Sequence, residues 1–435
     1  MSSRTALILL DSKPNRHSLN ALVGALETDR DLDGLKLRLP ANQDQLEQCI
    51  AEVLSAGKKP VVGLSFASSQ VPRIQQFMLR RTGEKSPGLA ESRVLWIAGG
   101  PHPTADPEGT LRLGFDIVVN GEGEATLLDL IEQIANGGDW ATVPGITVRG
   151  LSGKVRSTGP RAPIDLDAFP PFPLSRRRVV GPIEISRGCP FACAYCQTSH
   201  LLGRQPRHRS VEIIARFAGV IRQRGLRDVR VIAPDAFSYG SPDGKTLNLT
   251  ALESLLSTVR QTLGREGRLF FGTFPSEVRP EHVQDATLAL VKRYADNDNL
   301  IIGAQSGSEK VLERCGRTHT VSDVFSAVSR TVSAGLKPHV DFIFGLPGET
   351  DEDLKSTIEV IRELVAMGSL IHAHRFMPLP QTHFAGERRG RISGQLRPFL
   401  KELIRRGVLY GIWHKQGGEA KPGSKHPWHE EGRLE

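Results

Sequence analysis

The chain of 435 residues is long for one domain and natural for two or three, and its 39% hydrophobic content supplies a core easily. The net charge of +8 is spread along the sequence, with local clusters at Arg176-Arg177-Arg178, Arg204 to Arg209 and Arg388-Arg389. Solvated faces account for such clusters, and no DNA- or RNA-binding module appears, so nucleic acid is not indicated as a partner. No run approaches a membrane span, the apolar run 6–10 ends at Asp11 and is too brief for a signal peptide, and five cysteines, three of them clustered, suit a reducing cytoplasm.

Residues 1–150 alternate short apolar strands with amphipathic helices: strand 5–10, helix 19–27, strand 35–39, helix 43–56, strand 61–66, helix 71–80, strands 93–98 and 117–120, and helix 125–135. This alternation predicts a parallel, doubly wound sheet with its ligand crevice at the strand carboxyl ends. Small and polar residues collect there: Ser65, then Gly99-Gly100-Pro101-His102-Pro103-Thr104, then Asn120-Gly121-Glu122-Gly123-Glu124. Glycines at such ends let backbone approach a bulky ligand, and Gly123-Glu124-Ala125 opens a helix whose first amides can hold an anion. Tight turns would account for the same glycines.

Residues 151–180 turn polar and proline-rich and read as a connector. A strand at 183–186 then delivers Ser186-Arg187-Gly188-Cys189-Pro190-Phe191-Ala192-Cys193-Ala194-Tyr195-Cys196. The C-x-x-x-C-x-x-C spacing gathers three thiolates on one short loop, and three leave a four-iron cluster one ligand short, with an iron open to substrate or cofactor. Two other readings stand beside this one. His200 could complete a structural zinc site, or the cysteines could be inert core residues, against which Gly188 and Pro190 argue. Cys49 reads as core and Cys315, followed by Gly316, as a helix end.

Strands at 229–233, 269–272, 300–303, 339–344 and 372–377, with helices between them, complete six units of a partial barrel over 181–385, its functional groups at the strand C-terminal ends. Asp235 follows the second strand, where it can serve a ligand or cap a turn. Glu277 and Arg279 follow the third, as ligand contacts or as a surface ion pair. Gln305, Ser306, Gly307, Ser308 and Glu309 follow the fourth; Gln305 and Ser306 offer neutral hydrogen bonds, and Ser308 suits an N-cap. Gly345 to Thr350 follows the fifth, and Pro378 to Thr382 ends the barrel. His372 and His374 share one face of the last strand and, with His383, either line the barrel or are satisfied by neighbours. Residues 386–416 form a helical extension, with a helix at 396–410, and 417–435 reads as disordered.

The cysteine loop, with Tyr195 before its last cysteine, resembles the cluster loop of the radical S-adenosylmethionine superfamily. Gly99 to Thr104 and Gly121 to Glu124 are similar to stretches of the cobalamin (B12)-binding domain that precedes the barrel in one branch of it. The resemblance covers most of 1–385 and implies an α/β fold: a Rossmann-like doubly wound sheet followed by a partial (β/α)6 barrel. It implies that Cys189, Cys193 and Cys196 hold a 4Fe-4S cluster, and that Tyr195, Asp235, Gln305, Ser306, Glu309 and Gly345 contact S-adenosylmethionine. For cobalamin it implies Ser65, Gly99, Gly100, Gly121 and Glu122.

Two departures from the pattern matter. The Asp-x-His-x-x-Gly motif that gives cobalt a histidine is missing, and His17, after Asp11-Ser12-Lys13-Pro14-Asn15-Arg16, is misplaced for that role. Gln381 stands where relatives often have glycine. The activity implied is reductive cleavage of S-adenosylmethionine, serving methyl transfer or oxidative rearrangement of a small molecule, with flavodoxin or ferredoxin as reductant. A methylthiotransferase-like RNA modifier would carry a second cysteine triplet near its N-terminus, where only Cys49 stands. A non-catalytic iron-sulfur or cobalamin module would need no nucleoside contacts at Asp235 and 305–309.

Overall fold

The computed structural model describes residues 4–29, 32, 34–82, 94–150, 153–392, 394–411 and 413. The tail expected to be disordered, 417–435, lies outside them. Among the described residues no helix is long and apolar enough to cross a membrane.

The first sheet contains β1 (Thr5–Leu9), β2 (Lys36–Arg38), β3 (Lys59–Ser65), β4 (Leu95–Gly99), β5 (Ile117–Val119), β6 (Ile146–Arg149) and β7 (Val155–Ser157), in the order β2-β1-β3-β4-β5-β6-β7. The first five pair in parallel. Between them run α1 (Arg16–Leu26), α2 (Gln43–Ser55), α3 (Val71–Thr82), α4 (Pro101–Ala105) and α5 (Pro107–Arg112), followed by α6 (Glu124–Asn136). Every residue of β1 is buried, as a central parallel strand requires. Leu7 and Leu9 join Leu19 and Val23 of α1 and Leu130 of α6 on one face. Ala6 and Ile8 join Leu46 and Ile50 of α2 and Phe77 of α3 on the other.

Two features depart from the expected pattern. β6 and β7 extend the sheet antiparallel, so part of the expected connector is a strand. All three residues of β7 are exposed, leaving no hydrophobic alternation to announce it. The turn after β4 holds two short helices, each opened by a proline in its first turn.

The barrel is built from β8 (Ile183–Glu184), β9 (Ser186–Arg187), β10 (Arg207–His208), β11 (Asp228–Ile232), β12 (Arg268–Phe270), β13 (Asn299–Gln305), β14 (Lys337–Phe344), β15 (Leu370–Arg375) and β16 (Leu409–Tyr410). Two parallel sheets, β12-β11-β8 and β13-β14-β15-β16, are linked by a parallel bridge between Val278 and Ile302. The outer layer consists of α7 (Thr198–Leu202), α8 (Val211–Gln223), α9 (Leu249–Leu263), α10 (Asp285–Tyr294), α11 (Glu309–Arg314), α12 (Val321–Ser333), α13 (Asp351–Ala366) and α14 (Leu396–Arg405). The helix expected over 396–410 stops at Arg405. Gly407 adopts φ +68° and the Val408 amide donates back to the Leu403 carbonyl at 3.0 Å, a glycine-terminated helix end. The residues beyond it form β16, beside Ile371 and His372.

Candidate cluster loop and interdomain cleft

The cysteine loop is fixed by backbone bonds to three separate parts of the chain. The Cys189 amide donates to Gly203 O at 3.0 Å, the Ala194 amide to Cys315 O at 2.9 Å, and the Phe384 amide to Ala194 O at 3.1 Å. Gln197 adds a side-chain bond from Nε2 to Pro380 O at 2.9 Å. Gly188 sits at φ +90°, and a Cβ there would meet Gln205 O at 2.5 Å, so only glycine lets the loop leave β9 beside that carbonyl. The buried Arg279 guanidinium stacks on the Phe191 ring at 3.5 Å while pairing with Glu281 at 2.6 Å. Arg279 is therefore a clamp on the loop, held by an ion pair.

Burial pushes the Cys189 thiol up to about 11, and the neighbouring Cys196 and Cys193 add to the rise. Cys196 is raised as well, again chiefly by burial. Metal ligation requires the thiolates, so a bound cation must supply the charge that stabilises them together. Part of that charge belongs to the protein: Arg317 Nη1 lies 3.8 Å from Cys193 Sγ, and Nη2 donates to Gly303 O at 2.5 Å. Burial disfavours the Arg317 charge, yet Tyr195, Cys193 and Glu277 together raise its pKa.

Among the described residues the three cysteine sulfurs do not lie all within 4.8 Å of one another, and neither do they form such a set with His200. A single zinc ion with ligands at about 2.3 Å would draw its sulfurs to within ~4 Å. His200 is exposed and faces the ring of His383 instead.

A cleft of about 790 Å³ opens between the carboxyl ends of the first sheet and this loop. Ser65, Gly99, Gly100 and Gly121 line one side, Tyr195, Cys196 and Thr198 the other, with Leu201, Leu202, Met377 and Leu379 as apolar wall. His17 also lines it, although it lies outside any histidine-ligand motif. A Cβ built on Gly99 would have Val119 at 3.9 Å as its nearest neighbour, and one on Gly121 would meet nothing within 4 Å. Side chains at these positions would therefore occupy the cleft. Gly100 has a different reason to be glycine: at φ +93° its Cβ would meet Ser65 Oγ at 2.6 Å and Phe66 N at 3.1 Å.

The two halves of the cleft are tied by buried charge. Arg187 meets Glu184 at 2.6 Å, Glu124 at 2.7 Å and Glu122 at 3.4 Å. Arg207 pairs with Glu122, whose carboxylate also accepts from the Ile164 amide at 2.8 Å. Gln381, at φ +65° in the left-handed region that glycine favours, donates from Nε2 to Thr104 O at 3.3 Å. Its backbone thus keeps a glycine conformation while its side chain bridges the domains.

Deeper in the barrel, burial and then the Asp341 carboxylate push Glu277 up to about 7, against the opposing pull of Arg317. Gln305 stands at φ +71° where the β13 register shifts, 5% exposed. Its Nε2 and the Glu277 carboxylate both face Gly303, each near 3 Å from where a Cβ would stand, at 2.9 and 3.1 Å.

Comparisons agree with this geometry. A family model described as the Radical SAM superfamily matches residues 183–361, and one described as a B12 binding domain matches residues 20–131. The chain carries a radical S-adenosylmethionine domain preceded by a B12-binding domain. An uncharacterized protein of Methanopyrus kandleri is 25% identical over 67% of the chain and 62% of its own length. An uncharacterized methyltransferase of Pyrococcus horikoshii is 28% identical over 62% of the chain and 58% of its own length. The chain thus spans about three fifths of the length of these curated relatives. Among solved structures, the radical S-adenosylmethionine methyltransferase TsrM of Kitasatospora setae, with cobalamin and a [4Fe-4S] cluster bound, superposes with a TM-score of 0.67 at 17% identity. That match covers 88% of this chain and 74% of TsrM, and it shows a shared fold.

The residues expected to contact cofactors separate into two groups. Tyr195, Ser65, Gly99, Gly100, Gly121 and Glu122 all line the cleft, Glu122 with its carboxylate already engaged, and Gln305 lies against Gly303, as Glu277 does. The others have partners within the protein. Asp235 accepts from the Phe237 amide at 3.3 Å and the Arg279 amide at 3.4 Å and pairs with His282, so it closes a turn. Ser306 Oγ accepts from the Ser308 amide at 3.2 Å and lies 3.4 Å from Thr357 Oγ1. Glu309 is exposed and accepts from the Val321 amide at 2.8 Å. Gly345, at φ +74°, is covered by backbone, since a Cβ there would meet Gly390 Cα and Arg391 N at 2.7 Å. The sequence places Glu124 in a motif stretch, Arg207 in a basic cluster and Arg187 directly before Gly188-Cys189, but does not show their pairing, and it assigns Arg317 no role.

Proposed function

We propose that this chain is a cobalamin-dependent radical S-adenosylmethionine enzyme acting in methyl transfer or oxidative rearrangement of a small molecule. In this reading Cys189, Cys193 and Cys196 hold a 4Fe-4S cluster and cobalamin occupies the interdomain cleft. The observation that carries the reading is the shared wall: Tyr195 and Cys196 of the cluster loop face Ser65, Gly99 and Gly121 across one cavity. The relative from Pyrococcus horikoshii and the fold of TsrM both point toward methyl transfer.

When bound, these groups supply one-electron and methyl-transfer chemistry that no side chain offers. The protein's part is binding, orientation and exclusion of water. Arg317 offsets the charge of the Cys193 thiolate, and Arg279 on Phe191 fixes the loop that carries all three cysteines. Leu201, Leu202, Met377 and Leu379 shield the cleft from solvent. Glu277, with its carboxyl near 7, can take or release a proton at its Oε atoms inside the barrel at neutral pH. The reading extends to a cytoplasmic location and to flavodoxin or ferredoxin as reductant.

The test is anaerobic reconstitution of the full chain with iron, sulfide and hydroxocobalamin, followed by a strong reductant and S-adenosylmethionine. One cobalt beside an intact cluster, with 5'-deoxyadenosine or S-adenosylhomocysteine as product, is the expected result. An intact cluster that yields neither product sinks the enzyme reading; product without cobalt sinks its cobalamin part.

A further inference from the structure

We infer that Asp341, His372 and His374 form a divalent-cation site inside the barrel, separate from the cysteine loop and independent of the cofactor reading above. On β14, Val340, Phe342 and Phe344 pack into the core with the outer helices, as do Ile371 and Ala373 on β15. Strand alternation therefore turns Asp341, His372 and His374 to the opposite, interior face.

Their ligand atoms converge. Asp341 Oδ1 and His372 Nδ1 are 3.0 Å apart, His372 Nδ1 and His374 Nε2 3.2 Å, and His374 Nε2 and Asp341 Oδ2 3.7 Å. Ligands about 2.1 Å from one ion stand ~3.0 Å apart at right angles and ~3.4 Å apart at the tetrahedral angle. The measured edges span those values.

His372 Nδ1 faces both the Asp341 carboxylate and His374 Nε2. Without an ion, a proton on His372 Nδ1 holds the contact to Asp341, and His374 Nε2 either shares that proton as an acceptor or turns a proton of its own toward Asp341 Oδ2. A cation at the centre takes one lone pair from each of the three groups and replaces that shared proton.

The His372 ring is also fixed in place by packing. Tyr410 lies flat on His372, with centroids 4.6 Å apart at 8°, and its hydroxyl meets His339 Nδ1 at 3.0 Å. Two imidazoles and one carboxylate suit a first-row cation of the zinc or iron(II) class. Three protein ligands leave a coordination position for an oxygen donor of the substrate.

The experiment measures zinc bound per chain by equilibrium dialysis and elemental analysis, on reconstituted full-length protein of constant iron content. One zinc per wild-type chain is expected, with affinity reduced roughly tenfold or more in His374→Ala and in the near-isosteric Asp341→Asn. Unchanged iron in both variants shows that the barrel is folded, and His200→Ala is expected to bind as wild type. A wild type that takes no zinc overturns the proposal. So does zinc that survives both substitutions together, or zinc lost only when Cys189 is replaced, which would put the ion at the cysteine loop.

Discussion

The Arg187 guanidinium lies 2.7 Å from the Glu124 carboxylate, joining the residue two positions ahead of Cys189 to the first residue of α6. Both side chains are buried, at 8% and 6% exposure, and Glu184 and Glu122 share the same guanidinium. The geometry of the cleft thus depends on Arg187 among three carboxylates, one of which, Glu122, it shares with Arg207. Removing one partner of a buried pair typically costs about 3–5 kcal/mol, because the other charge is left uncompensated. Arg187→Met is expected to lower the chemical denaturation midpoint accordingly and to open the 158–182 connector to protease. Adding Glu124→Leu to Arg187→Met should recover part of the loss; strictly additive losses would show that the two are not coupled.

The ligand set can be read from iron content. Cys189→Ser, Cys193→Ser and Cys196→Ser should each reduce cluster iron severalfold, because three thiolates already leave one iron without a protein ligand. Cys315 is also buried, at 1% exposure, and its carbonyl receives the Ala194 amide, but its thiol packs among Val311, Leu346 and Phe384. Cys315→Ala is therefore expected to keep its iron while losing some stability. Iron lost with Cys315→Ala as fully as with Cys193→Ser would enlarge the ligand set to four.

The sequence reveals what backbone geometry or burial on both faces constrains. β1 and β3 are legible as apolar runs, and Gly100 and Gly121 are legible because both stand at positive φ, where few residue types fit. β7 is not legible, since its three residues are exposed and its place is set by pairing with β6. The charged scaffold is hidden for a different reason. Arg187 and Glu124 are 63 residues apart and Arg317 and Cys193 are 124 apart, so no local pattern couples them among 56 basic residues. Asp235 shows the limit of strand-end reasoning: turn closure and ligand contact demand the same residue type, and only the bonds to Phe237, Arg279 and His282 identify the closure.

Cobalamin binding should be separable from cluster binding at Gly99. A Cβ there lies 3.9 Å from Val119, ordinary contact distance, and Gly99 is not among the positive-φ glycines. Gly99→Leu is therefore expected to fold and to place its side chain in the cleft. Cobalt retained after anaerobic loading should fall at least tenfold while iron stays at the wild-type level. Gly100→Leu is the contrasting case, because it drives a side chain into Ser65 and Phe66 at φ +93° and should destabilise the sheet itself. Undiminished cobalt in a well-folded Gly99→Leu would remove cobalamin from the cleft.

Glu349 gives a pH-dependent prediction away from the cluster loop. Burial, assisted by the Asp353 carboxylate, pushes it up to about 7, although its carboxylate accepts from the Gly345 amide at 3.0 Å. In the unfolded chain a glutamate ionises near 4.3. Between these values the folded chain holds a proton that the unfolded chain has released, so this group lowers stability as pH rises from about 4.3 to about 7. Above 7 the cost is fully present; below 4.3 it is absent. Glu349→Gln keeps an acceptor for the Gly345 amide and removes the charge. It should be more stable than wild type at pH 8, by on the order of 1–3 kcal/mol, with the difference shrinking to near zero by pH 4.5. Paired denaturation curves at pH 8.0, 6.0 and 4.5 measure this, and a gain that does not change with pH would mean that packing at Gly345, not the buried charge, governs the site.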